Sequence, residues 1–244
     1  MQFLTPYSSA FSPSRVLKTI IYSNVALFTV TLLFSGKAVN TGFNPFQALS
    51  PSLDALVFMG ASGRLPIENY QAWGSLITAN WLHGSLLHIL FNMMALKTVA
   101  PLVMVEYGVF RMFTIYTISG AAGFLLSYVG NVPLTIGASS GLCGLIGALL
   151  YFGKSRGGPW GRQVFQQTSG WIVSLALIGF LLPNINNWGH GGGLLGGMAL
   201  GWVLGYNDQR RESTPDQILS VCLMGITALL LVQPVIQGFL LLFT

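Results

Sequence analysis

Residues 188–205 read Trp-Gly-His-Gly-Gly-Gly-Leu-Leu-Gly-Gly-Met-Ala-Leu-Gly-Trp-Val-Leu-Gly. Glycine stands at 189, 193, 197, 201 and 205, every fourth residue. Residues four apart share one face of a helix. The stretch therefore predicts a helix with a bare ridge, against which another backbone can approach closely. A second segment offers the matching surface, with small residues at Ser140, Gly144 and Ala148, again four apart. Packing the two ridges together predicts that His190, at one helix start, meets the Ser139-Ser140 pair at the other.

The surrounding composition says what kind of protein uses such ridges. The chain has 244 residues, 52% of them hydrophobic and 7% charged. Charged residues make up about a quarter of an ordinary globular chain. Mean hydropathy is +0.66. Long apolar runs without ten-residue alternation argue for helices rather than a barrel. The fold class expected is an all-α polytopic membrane protein. The net charge of +5 is spread as single residues between apolar runs. It reads as membrane topology and not as a nucleic-acid surface. Cys143 and Cys222 both lie inside apolar runs, so neither a disulfide framework nor a metal site is expected. No cofactor is expected either. The first apolar run lacks a convincing cleavage site behind it and reads as a retained helix.

Seven spans are expected, beginning near Lys18, Leu76, Arg111, Ser139, Gly170, Gly189 and Ile218. Residues 1–17 form an N-terminal segment and 18–244 a single transmembrane domain. A loop of about 36–75 lies between the first two spans. It carries Asn40, Pro45, Pro51 and Pro66 and the apolar stretch Leu56-Val57-Phe58-Met59, which suggests contact with the membrane face. With the N-terminus cytoplasmic, Arg15, Lys18, Lys97, Arg111, Lys154, Arg156, Arg162, Arg210 and Arg211 fall inside. Lys37 and Arg64 fall outside. That bias fixes the orientation by the positive-inside rule. Spans two, four and six then begin at the outer face, and Pro234 predicts a kink in the seventh.

Three polar clusters share that outer depth. In His83-Gly-Ser-Leu-Leu-His88-Ile-Leu-Phe-Asn92, His88 and Asn92 lie one helical turn apart. Together they can donate to an oxyanion, or they can serve as interhelical polar glue. In Gly137-Ala138-Ser139-Ser140-Gly141, a serine at a helix start is either a nucleophile with free amides beside it or an N-cap. His190 is either a general base or an interfacial residue at a helix start. Jointly the clusters supply a nucleophile, a base and oxyanion donors. No aspartate lies at that depth, so a Ser–His dyad is the economical arrangement. A small transporter would show internal repeats, and acidic residues within the spans if ion-coupled. Neither is found.

On these residues the chain resembles the rhomboid family of intramembrane serine proteases, over roughly Gly74 to Gly205. The matching motifs are His83, His88 and Asn92; Glu106-Tyr-Gly-x-x-Arg111 with Tyr116 and Ser119-Gly120; Gly137-Ala-Ser139 with Gly144; and His190-x-x-Gly193-x-x-x-Gly197. The resemblance implies a six-helix core plus a C-terminal seventh helix. It implies Ser139 and His190 as the catalytic pair, with His88, Asn92 and His83 supporting them. The implied partners are the lipid bilayer and membrane proteins with a helix-weakened transmembrane segment, cut near the outer face. A bacterial inner membrane is the expected location. The alternative is an inactive relative that binds or escorts clients. Three departures stand out. Ser140 occupies the place of the family's glycine, which keeps Ser140 open as an alternative nucleophile. Cys143 stands where many members stack an aromatic ring on the histidine. Gly74-Ser75 replaces a Trp-Arg pair, with Trp73 one position earlier.

Overall fold

A computed structural model describes residues 11–42, 44, 47–181 and 185–242. Residues 1–10 of the expected N-terminal segment, and Pro45 of the long loop, lie outside the described residues. The chain forms α1 (Pro13–Ser35), α2 (Leu53–Phe58), α3 (Arg64–Tyr70), α4 (Ser75–Thr78), α5 (Leu86–Tyr107), α6 (Val109–Val129), α7 (Ser139–Arg156), α8 (Gly158–Leu181), α9 (Asn187–Leu204) and α10 (Thr214–Leu242). Among the described residues the extended pairing amounts to two isolated bridges, Asn40 with Ser50 and Ser62 with Thr135. This is the all-α polytopic architecture that the composition predicts.

Five helices are long and apolar enough to cross a bilayer: α1, α5, α6, α8 and α10. The other two long ones, α7 and α9, have 18 residues each and are rich in glycine. They pack against each other and against α6 along their glycine faces, while the opposite face of α9 exposes Trp188, Leu195, Trp202 and Val203. Most of α7 is buried. Within α6, 72% of the most apolar window is buried, against 17% in α8 and in α10. The three helices α6, α7 and α9 therefore form the centre, and α8 and α10 the periphery.

Glycine sets how closely that centre packs. A methyl at Gly193 would overlap the Ser140 carbonyl, and one at Gly197 the Gly144 carbonyl. One at Gly201 would lie 3.2 Å from the Ala148 Cα. The ridge on α9 thus meets Ser140, Gly144 and Ala148 of α7 along the face the sequence spacing predicts, with Gly193 opposite Ser140. A second bare flank was not foreseen. A methyl at Gly192 would come within 2.8 Å of the Gly123 Cα on α6, and Gly196 faces Ala122 and Ser119. One helix thus serves two close neighbours.

Two span boundaries differ from expectation. The second long helix begins at Leu86, not near Leu76. Residues 75–78 and 79–81 are separate short turns, and Ser85 restarts the chain by capping α5, its Oγ accepting from the His88 amide at 3.3 Å. The fifth begins at Gly158, ahead of the apolar run near Gly170. Pro159 suits a first turn, and the polar residues after it continue the helix beyond its apolar part.

Two charges also move. Arg111 is fully buried. Its Nη1 donates to the carbonyls of Gly205 and Arg210, both at 2.9 Å, and its Nη2 to Asp216 Oδ2 at 3.3 Å. It is an internal clamp on α10, not a free interfacial charge. Lys97 is exposed halfway along α5, about 16 Å from its start at 1.5 Å per residue. It marks neither end. The loop between α1 and α5 is compact: Met59 and Ala61 are wholly buried and Ile67 nearly so.

Candidate active site

Three helix starts converge at one end of the bundle, and local chemistry fixes each. Asn186 caps α9. Its Oδ1 accepts from the Gly189 amide at 3.0 Å, and its Nδ2 donates to Ser127 Oγ and Thr135 Oγ1, both at 2.7 Å. His190, one turn in, is held by its own amide on the Asn186 carbonyl at 3.1 Å. On α7, Ser139 is the first helical residue. The turn before it passes through Gly137 at φ 125°, a conformation that L side chains rarely adopt. A methyl at Gly137 would also fall 2.7 Å from His88 Nε2, so glycine is required there twice over.

The outcome is one short contact. His190 Nε2 and Ser139 Oγ are 2.9 Å apart. Both residues are partly buried, and the two helices that carry them meet along the glycine ridge. Neighbouring Ser140 behaves differently. Its hydroxyl is buried, 3.1 Å from the carbonyls of Gly120 and Gly189. The roughly 100° per residue of a helix separates the two serines: one faces the imidazole, the other the α6–α9 seam.

His88 reaches the same turn from α5. The Gly84 amide donates to His88 Nδ1 at 3.2 Å. A neutral imidazole accepting at Nδ1 carries its proton on Nε2. That N–H lies against the Gly137 backbone, beside Ser139. Asn92 is buried, and its Nδ2 donates to the His88 carbonyl at 3.0 Å. One of its two N–H bonds is therefore used inside α5. His83 precedes α5 and packs edge-on against the His88 ring, centroids 5.1 Å apart. It is 1% exposed. The structure thus brings Ser139, His190 and His88 to one point, sets Asn92 a turn away and stacks His83 behind.

Beside His190, a cavity of about 210 Å³ opens among Cys143, Ile146, Ile172, Leu175 and Leu194. The short Cys143 side chain leaves that flank of the ring unfilled. Two residues that sequence reasoning passed over complete the surroundings. Asn186 carried a readable signal, an Asn directly before an apolar glycine run being a helix-start signature. Asn80 carried none. It lies in the 79–81 turn, where its Oδ1 accepts from the Gly141 amide at 3.2 Å and its carbonyl accepts from Tyr116 Oη at 3.3 Å.

Residues 70–207 match the family model of the Rhomboid domain. RHOMBOID-like protein 1 of Arabidopsis thaliana is 30% identical over 79% of this chain and 55% of its own length. Rhomboid protease GluP of Bacillus subtilis is 35% identical over 64% of this chain and 31% of its own. Inactive RHOMBOID-like protein 8 of Arabidopsis thaliana is 29% identical over 82% and 62%. The chain spans about half the length of the plant relatives it matches. Similarity thus runs to proteins named as a protease and as inactive alike. The apolar helices make the chain an integral, multi-pass membrane protein. With relatives mostly from a plant, the expectation of a bacterial inner membrane has no support.

Proposed function

The chain belongs to the rhomboid family, and on that premise we propose that it is an active intramembrane serine protease working through a Ser139–His190 dyad. The observation that carries the proposal is the 2.9 Å separation of His190 Nε2 and Ser139 Oγ. It is a nucleophile–base distance, reached by a residue pair 51 positions apart in sequence. His190 takes the Ser139 proton as Oγ attacks a peptide carbonyl. The Ser139 amide and the His88 Nε2–H hold the developing oxyanion; removing one such donor costs about 10²–10³ in kcat. His190 then gives its proton to the leaving amine, and activates the water that frees the acyl-enzyme. His83 packs against the His88 ring, and Asn92, a turn further along α5, assists with its remaining N–H.

The substrate is a transmembrane segment whose helix opens locally, because only an unwound carbonyl can reach Ser139. Cleavage takes place near the outer face. The opposite ends of α7 and α9 run into Lys154, Arg156, Arg210 and Arg211, and basic residues favour the cytoplasmic side. The N-terminus is then cytoplasmic.

The test is labelling by a fluorophosphonate probe together with cleavage of a reporter transmembrane substrate. Wild type and Ser140→Ala are expected to label and cleave, and Ser139→Ala to do neither. A wild-type protein that binds the reporter yet neither labels nor cleaves would instead be an inactive, client-binding relative. Labelling that survives Ser139→Ala and is lost in Ser140→Ala would move the nucleophile.

A further inference from the structure

We propose that Asn80 is a positioning residue for the nucleophile, acting through the first turn of α7. The inference rests on the protease reading above and deepens it. Three amides at the α7 start, those of Ser139, Ser140 and Gly141, precede the first helical bond, which runs from the Leu142 amide to the Ala138 carbonyl at 2.9 Å. Such amides need partners outside the helix. Asn80 Oδ1 takes the third of them, from Gly141. The adjoining Ala79 carbonyl takes the Gly137 amide at 2.9 Å. Two neighbouring residues of one turn therefore grip the chain on both sides of Ser139, two residues before it and two after. The grip fixes the rotation of the first turn, and so the direction of both the Ser139 amide and its Oγ.

The site is built to hold that one side chain. Asn80 is 1% exposed. A methyl at Gly120 would lie 2.9 Å from its amide atoms, and one at Gly141 would lie 2.8 Å from its Nδ2. Two glycines on different helices thus leave room for the amide. The Tyr116 hydroxyl anchors the backbone behind it. The orientation follows from the donor it meets: the Gly141 N–H needs an oxygen, so Oδ1 faces it. Nδ2 is then left buried without a hydrogen-bond partner. An apolar side chain would avoid that unpaired donor. It would also strand the Gly141 amide, and the buried acceptor is the reason an amide stands at this position.

The experiment separates positioning from folding by its two readouts. In fluorophosphonate labelling the amplitude reports the folded fraction, and the rate constant reports the nucleophile. Asn80→Ala is expected to slow labelling about tenfold and lower kcat on the reporter to match, with KM held within about twofold, as for a small misplacement of a reacting group. Asn80→Asp, which keeps an oxygen for Gly141, is expected to recover most of the rate. Gly120→Ala, which pushes on the amide without deleting it, is expected to slow labelling in the wild-type background but not in Asn80→Ala, where the space is free. A wild-type rate constant in folded Asn80→Ala overturns the proposal, whatever its amplitude. Should Asn80→Ala fail to fold, a wild-type rate constant in Gly120→Ala overturns it instead. Wild type that neither labels nor cleaves overturns the protease reading itself, and this inference with it.

Discussion

The two ends of the α6–α7–α9 bundle solve the same problem in opposite ways. Both hold polar groups among apolar helices, where an unpaired group is costly. At the α7 C-terminal end the groups are charged and paired with one another. Asp216, 6% exposed, accepts from Arg210 Nη1 and Nη2 at 2.7 and 2.8 Å. It also accepts from the Ser213 amide and hydroxyl, both at 2.8 Å, and from Arg111. These bonds to Asp216 raise the Arg210 pKa further above its ordinary range. At the other end the polar groups are formally neutral, and Asn80 keeps a buried Nδ2 without a hydrogen-bond partner. The difference teaches what each end relies on: opposite charges at one, neutral hydrogen-bonding groups at the other. On the proposed reading, the neutral donors that meet developing charge are the Ser139 amide and His88.

The largest expected effect breaks the neutral end alone. Ser139→Ala removes the group facing His190 and should lower reporter cleavage by on the order of 10⁵–10⁶, as loss of a nucleophile does in serine proteases. Its thermal denaturation midpoint in detergent should stay close to wild type, because the Ser139 hydroxyl is only partly buried. A large fall in that midpoint would mean that the contact with His190 is structural glue.

Asp216→Ala breaks the charged end. It removes the carboxylate that meets the Arg111 guanidinium and leaves Glu212, which accepts from the Arg111 amide, as the neighbouring negative charge. Breaking a buried ion pair from one side costs roughly 3–5 kcal/mol. The carbonyls of Gly205 and Arg210 that also hold Arg111 argue for the lower part of that range. Chemical denaturation in detergent should show the loss. The labelling rate constant of the remaining folded protein should not change, since α7 alone separates the ends by about 27 Å at 1.5 Å per residue. A changed rate constant would show that the ends are coupled.

Gly197→Val acts between the ends. Its side chain would collide with the Gly144 backbone, and overpacking of this kind costs typically 1–3 kcal/mol. Because Gly197 lies two turns below His190 on the shared seam, the strain should also part the dyad. Stability and labelling rate should therefore fall together, unlike in either preceding variant. Labelling at the wild-type rate would mean that the dyad does not depend on the ridge.

How much of this was legible beforehand follows the same division. The seam was legible, because a period of four in small residues maps directly onto a helix face. Ser140, Gly144 and Ala148 could be set against the α9 ridge without coordinates, whereas the register, Gly193 opposite Ser140, needed them. The convergence of Ser139 and His190 follows from that seam. The second flank of α9 was not legible: Gly192 and Gly196 are also small, but nothing in the spacing says which neighbour they face. The charged clamp was not legible. Arg111 looks like a free interfacial charge until Asp216 is seen to reach it from α10. Asn80 was invisible, since a loop residue has no period to betray its direction. Local periodicity is written in the sequence. Contacts between a loop and a distant helix start are not.

The smallest effect sharpens the contrast between adjacent serines. Ser140→Ala deletes a buried hydroxyl that reaches the Gly120 and Gly189 carbonyls. A typical hydrogen bond contributes about 1 kcal/mol net. Both carbonyls lie in helices, where backbone amides can satisfy them in part, so the loss should not exceed that figure. The alanine methyl still fits beside Gly123, where even an added glycine methyl would press on the hydroxyl. Reporter cleavage should remain within a few-fold of wild type, while the denaturation midpoint falls slightly. Ser139→Ala reverses both signs, losing cleavage and keeping stability. If Ser140→Ala instead removes cleavage with no loss of stability, the two serines have exchanged roles, and the neutral end of the bundle is centred one residue further along α7.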